Sequence, residues 1–221
     1  LPAAPTTVHD IGGGAGAYAL PLARAGHDVT LIDPVPLHVE QAREAGVQAA
    51  AIGDARSLQF DDHTFDVVLL LGPLYHLPDR DERLAALREA ARVVRPSGLI
   101  VASVISRFAS TLDGIQTGFL IDERFEAIVR HDLATGQHVN PQRVPGWFTT
   151  AYFHHPAEIE DEFNDASCLV QELLAIEGPT SGLHDLDVWL DDAERTAILL
   201  RAIRRVESEP SLLGSSSHLF V

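Results

Sequence analysis

Through the first half of the chain, short apolar blocks alternate with stretches of helical spacing. Thr7–Ile11 reads as a strand. Residues 17–25 read as a helix stopped by Gly26, with Pro21 near its first turn, where a missing N–H costs little. A second strand over 28–32, a second helix over 37–45 closed by Gly46, and a third strand over 47–52 follow. Residues 65–71, FDVVLLL, are apolar at nearly every position, as in a central parallel strand buried on both faces. An amphipathic helix over 80–94 stops at RPSG, 95–98, and a strand covers 99–106. This alternation predicts an α/β chain with a doubly wound parallel sheet and right-handed crossovers, its ligand site beyond the carboxyl ends of the strands.

The second half is less regular. Helices are expected over 122–130, 156–165 and 191–207, and strands over 168–176 and 216–221. The stretch 147–155, WFTTAYFHH, is aromatic and histidine-rich; in an extended chain Tyr152 and His154 share one face, Phe153 and His155 the other. We expect residues 1–221 to form a single domain, with 107–155 as an insertion capping the sheet and binding the substrate.

Charge narrows the partners. Acids outnumber bases 32 to 16 and the net charge is −16, which argues against nucleic acid as the partner. The longest clear apolar run, 67–71, is far too short to span a membrane. Cys168 is the single cysteine, which excludes an intrachain disulfide and fits a cytoplasmic protein. There is no methionine and Leu1 comes first, so an N-terminal segment is expected ahead of this sequence. A homodimer is compatible with the sequence.

The chemistry concentrates in DIGGGAG, residues 10–16, at the first strand-to-helix junction. Four glycines in five positions allow positive φ and let a ligand lie against bare backbone at a helix N-terminus. Two registers are open. Gly14, Gly16 and Ala19 fit a G-x-G-x-x-A dinucleotide fingerprint, which makes a nicotinamide-dependent oxidoreductase one alternative. Gly12, Gly14 and Gly16 fit G-x-G-x-G, with Asp10 two residues ahead. Asp33, closing the second strand, can accept hydrogen bonds from ribose hydroxyls. Asp54 in GDA, after the third strand, can accept one from an adenine amino group, with the Ala55 N–H serving a ring nitrogen.

Together DIGGGAG (10–16), LID (31–33), GDA (53–55), FDVVLLLGPLYHL (65–77) and ALREAARVVRPSGLIVAS (86–103) resemble the class I S-adenosylmethionine-dependent methyltransferases, in particular the small-molecule branch that includes the ubiquinone and menaquinone biosynthesis enzymes. The resemblance spans roughly 7–107 and implies a seven-stranded sheet of order 3-2-1-4-5-7-6 with strand 7 antiparallel. It implies that Gly12, Gly14 and Gly16 line the methionine part of S-adenosyl-L-methionine, that Asp10 organises the glycine loop near the sulfonium, and that Asp33 holds the ribose and Asp54 with Ala55 the adenine. It also implies that Leu71 and Gly72 present backbone near the cofactor's amino group. His9 departs from the pattern, since an apolar residue is more usual there, and reads as a packed histidine. A non-catalytic protein keeping this fold and cofactor is a further alternative.

For the small-molecule acceptor, GPLYHL (72–77) offers Tyr75 and His76 at the site mouth, with His76 a candidate base. Tyr152 and His154 are candidates for acceptor contact. Arg107 reads chiefly as an ion-pair residue. His131, His138, His154, His155 and His184 show no metal-ligand spacing, so no metal is expected.

Overall fold

The computed structural model describes residues 1–183 and 185–221; His184 lies outside the described residues. The elements run β1 (Thr7–Ile11), α1 (Ala19–Arg24), β2 (Asp28–Asp33), α2 (Pro36–Ala45), β3 (Ala49–Ile52), β4 (Phe65–Leu70), α3 (Arg80–Val93) and β5 (Val94–Ser106). They continue with α4 (Ala109–Thr117), α5 (Glu123–Thr135), β6 (Gln137–His138), β7 (Ala151–His154), α6 (Pro156–Asp165), β8 (Leu174–Ala175), α7 (Leu186–Leu190), α8 (Ala193–Ile203) and β9 (His218–Phe220). The chain divides into two compact units, Leu1–Ser103 with Glu160–Leu169, and Val104–Ile159 with Val170–Val221.

In the first unit β3, β2, β1, β4 and β5 are parallel neighbours. The strand path begins β3-β2-β1-β4-β5, the expected order of a Rossmann-like sheet, and the expected last two places beside β5 are taken by β9 and then β8, while β7 and β6 also extend from β5. The strands expected over 168–176 and 216–221 are β8 and β9, antiparallel to each other, with β9 paired to β5. The segment 107–155 adds two short strands: β7 runs parallel to β5, and β6 antiparallel to β7.

The core of the first unit follows from alternation. Val8, Leu31, Val67 and Leu69 are buried and cluster with Val39 and Ala42, the inward positions of α2. His9 is packed as expected: its ring stacks on Phe65 (centroids 4.5 Å apart, 15°), and Nδ1 lies 3.0 Å from the Thr30 carbonyl oxygen. Burial drags its pKa down to about 4.

Several boundaries move, and three of the changes have a visible cause. RPSG does not precede β5 but bulges within it: Phe65 pairs with Val94 and Val67 with Leu99, and Ser97 takes φ +67°. The strand over 168–176 shrinks to two residues, Leu174–Ala175, because its partner β9 is only three residues long. The helix over 191–207 starts two residues later, where the Asp192 carboxylate caps it by accepting from the Arg195 N–H at 2.8 Å.

Candidate functional site

A cleft of about 600 Å3 opens at the carboxyl ends of β1–β4 and is lined entirely by residues of the first unit, from Asp10 to Leu77. Its floor is the turn after β1. The Gly12 and Gly13 N–H groups donate to the Ile32 carbonyl at 2.8 and 3.2 Å, tying the turn to β2. Gly12, Gly14 and Gly16 sit at φ +68°, +56° and +91°, a region side chains disfavour. Gly13 is bare for another reason: a Cβ there would lie 2.6 Å from Asp10 Oδ2 and 2.7 Å from Leu31 Cδ1. Gly12, Gly13 and Gly14 line the cleft. Gly16, expected beside them, does not. It is buried, and a Cβ on it would stand 3.0 Å from Val47 Cγ2 and 3.7 Å from Ala42 Cβ, so its work is packing α2 against the loop.

The strand-tip carboxylates Asp10, Asp33 and Asp54 all line this cleft, in unequal states. Asp33 Oδ2 accepts from the Gly14 N–H at 2.9 Å; Oδ1 accepts from the Val35 N–H at 2.9 Å and lies 3.0 Å from His38 Nδ1. Asp10 is 1% exposed and neither of its oxygens has a hydrogen-bond partner. Burial pushes its pKa up to about 6; the Ala19 amide opposes this and the Asp33 charge adds to it. Asp54 is the exposed member. Its carboxylate accepts from the Arg56 backbone N–H and Nε at 2.9 Å and from Nη2 at 2.6 Å, and Arg56 holds its pKa below the usual carboxylate value.

Ala55, Leu71 and Gly72 also line the cleft. The Leu71 carbonyl already accepts from Ser103 Oγ at 3.0 Å and from Tyr75 Oη at 3.3 Å. A single 3-10 turn, Leu74–His76, puts Tyr75 and His76 on the wall with their rings 4.7 Å apart. Burial lowers the His76 pKa, with the Asp33 charge opposing.

Tyr152 and His154 are not on this cleft wall; they lie on β7 in the second unit. They share a face, as strand alternation predicts, with rings 4.7 Å apart and nearly perpendicular. The Tyr152 hydroxyl donates to Glu158 Oε1 at 2.9 Å and accepts from Arg107 Nη2 at 3.1 Å, inside the Arg107–Glu158 ion pair. Gly13, Tyr18, His38 and Pro73 are wall residues that sequence reasoning passed over. His38 had a signal: five residues beyond Asp33 and in the first turn of α2, it falls back toward the β2 tip. Among the described residues no group of three His, Cys, Asp or Glu side chains could hold a metal ion, and no helix is long and apolar enough to cross a membrane.

A family model described as a methyltransferase domain matches residues 9–102, the span that builds the cleft. An uncharacterized methyltransferase of Mycobacterium tuberculosis is 29% identical over 159 residues, covering 64% of this chain and 63% of that protein. A ubiquinone biosynthesis O-methyltransferase of Methylocella silvestris is 38% identical over 103 residues, 44% of this chain and 39% of that protein. The chain thus spans less than two thirds of either relative's length. Among solved structures, a SAM-dependent methyltransferase from Methanosarcina mazei shares the fold, with TM-score 0.64 and 22% identity over 81% of this chain and 88% of that one. Residues 9–102 are thus similar to a methyltransferase domain, and the chain has the fold of a SAM-dependent methyltransferase.

Proposed function

We propose that the protein transfers the methyl group of S-adenosyl-L-methionine to an oxygen, nitrogen or carbon nucleophile of a small molecule. The carrying observation is Asp10, a buried carboxylate without a partner at the tip of β1, beside a glycine turn in which a Cβ at Gly13 would intrude. A ligand with a sulfonium, an ammonium and two ribose hydroxyls suits such a cleft. No match favours the nicotinamide-dependent alternative.

In this reading Gly12 and Gly14 line the methionine portion, with Gly13 added and Gly16 serving only as packing. Asp10 faces the cationic end. Asp33, preorganised by Gly14, Val35 and His38, takes the ribose; Asp54 and Ala55 take the adenine. Gly72, with Leu71, flanks the amino group. When bound, the cofactor supplies a methyl carbon on a good leaving group, so the protein's work is alignment and exclusion of water. An acceptor that carries a proton loses it to a base, and His76, kept neutral at pH 7 by burial, is positioned on the wall to accept it. Within the substrate-binding segment 107–155, Tyr152 and His154 are the residues to substitute for acceptor effects. The setting is cytoplasmic small-molecule metabolism, and a homodimer is compatible with it.

Titration calorimetry with S-adenosylhomocysteine tests the cleft. Asp33→Ala is expected to weaken binding about tenfold, the loss of one buried polar pairing. Stabilisation by NAD alone, with none by S-adenosylhomocysteine, would reject the reading. Labelled methyl transfer into metabolite extracts then identifies the acceptor.

A further inference from the structure

The second unit holds a cavity of its own, about 450 Å3. Ile105, Trp147, Phe148 and Phe153 form its apolar walls, and Ser110, Asp113 and His218 supply the polar groups. Phe153 is fixed from behind: the buried His138 ring stacks on it at 4.7 Å and 15°. His138 Nδ1 in turn lies 2.7 Å from Asp132 Oδ2, which also accepts from Ser110 Oγ at 2.6 Å. The aromatic wall therefore rests on a buried polar cluster, which holds it in one orientation.

His218 is oriented too. Its Nδ1 lies 2.5 Å from Glu177 Oε1, while Glu177 Oε2 accepts from the His218 backbone N–H at 2.9 Å and from Ser216 Oγ. Burial raises the Glu177 pKa, but the bonds from His218 and Ser216 outweigh it and hold the group near 2. An ionised carboxylate only accepts, so Nδ1 carries a proton toward Glu177 and Nε2 is the ring atom left for a ligand. Across the cavity, Asp113 on α4 is the carboxylate of the lining, and no lysine or arginine lines it.

We infer that this cavity binds a small planar aromatic molecule bearing a phenolic hydroxyl and an ammonium group, its ring lying against the exposed Phe148 and its neighbour Trp147, with His218 accepting from the hydroxyl and Asp113 pairing with the ammonium. Aromatic walls select a flat ring, and a lining with one carboxylate and no basic side chain disfavours anions. The inference does not rest on methyl transfer. It concerns binding in the absence of any cofactor.

Tyramine is the probe, 4-hydroxybenzoate the anionic control, and the whole chain the sample. Calorimetry is expected to show saturable tyramine binding, roughly tenfold tighter than the benzoate, with movement of the His218 ring resonances in 15N spectra. Asp113→Asn, at an exposed position, and His218→Asn are each expected to weaken tyramine about fivefold or more. No saturable tyramine binding, benzoate binding equally well, or affinity unchanged in a folded Asp113→Asn protein would each overturn the proposal.

Discussion

At the floor of the cleft, Asp10 is 1% exposed and its oxygens have no hydrogen-bond partner; along the seam of α3 and α6, Glu162 is 4% exposed and grips Arg83 with both of its own. Both are buried carboxylates of the first unit. Arg83 Nε and Nη2 reach Glu162 at 2.8 and 2.9 Å, while Nη1 donates to the carbonyls of Leu77, at the end of the cleft wall, and of Pro78. Glu162 is thus satisfied within the fold and holds the loop that carries Tyr75 and His76. Asp10 carries an unmet cost, which persists where a ligand can relieve it. A buried charge the fold satisfies is architecture; one it leaves bare marks a binding site.

The largest test strands the satisfied partner. Arg83→Met leaves Glu162 buried without its bidentate partner, the Arg80 Nε at 3.7 Å being a poorer one, and urea unfolding is expected to show a loss of about 3–5 kcal/mol. A loss below about 1 kcal/mol would erase the contrast between the two sites.

The next test is in pH. Asp10 rises from 3.8 to about 6 in the fold, so the folded state binds the extra proton, and this contribution to stability falls as pH rises from about 4 to 6. His9, the preceding residue, drops from 6.5 to about 4, so the folded state binds fewer protons, and its contribution grows over nearly the same window. Each amounts to about 3 kcal/mol and they oppose, so in the unaltered protein these two contributions nearly cancel between about pH 4 and 6.5, leaving the rise that His76, its pKa also lowered by burial, contributes. Asp10→Asn adds the His9 slope, a further rise of about 3 kcal/mol over that window in chemical denaturation at stepped pH. A profile for Asp10→Asn no steeper than the parent's would show that the Asp10 pKa is not raised.

The smallest effect is expected at the third strand tip. Asp54 and Arg56 are paired but their side chains are 44% and 40% exposed. Arg56→Ala is expected to change stability by less than about 1 kcal/mol, because water screens such a pair. A larger loss in thermal unfolding would move Asp54 into the class of Glu162.

Much of the first unit was legible. β1 falls where the alternation places it, and the starts and ends of β2, α2, β4 and α3 shift by at most one residue, since strand and helix periods and glycine stops are local properties of the chain. The glycine turn and its carboxylates were legible for the same reason. That Gly16 packs against Val47 was not legible, because a motif spacing says nothing of what surrounds each glycine in space. In the second half, Tyr152 and His154 were read correctly as sharing a face, yet neither lies on the cleft wall; the position of a strand is set by its pairing partner, here β5.

The sequence by itself determined the order of strands and helices through β5, the bare turn after β1 and the acids at three strand tips, because each is written in neighbours along the chain. Only the tertiary structure decided which acid is left without a partner, that Arg83 meets Glu162, and that Glu177 orients His218 from 41 residues away. Hydrogen bonding and desolvation depend on what surrounds a group in space, and for a buried group those neighbours come from distant parts of the chain.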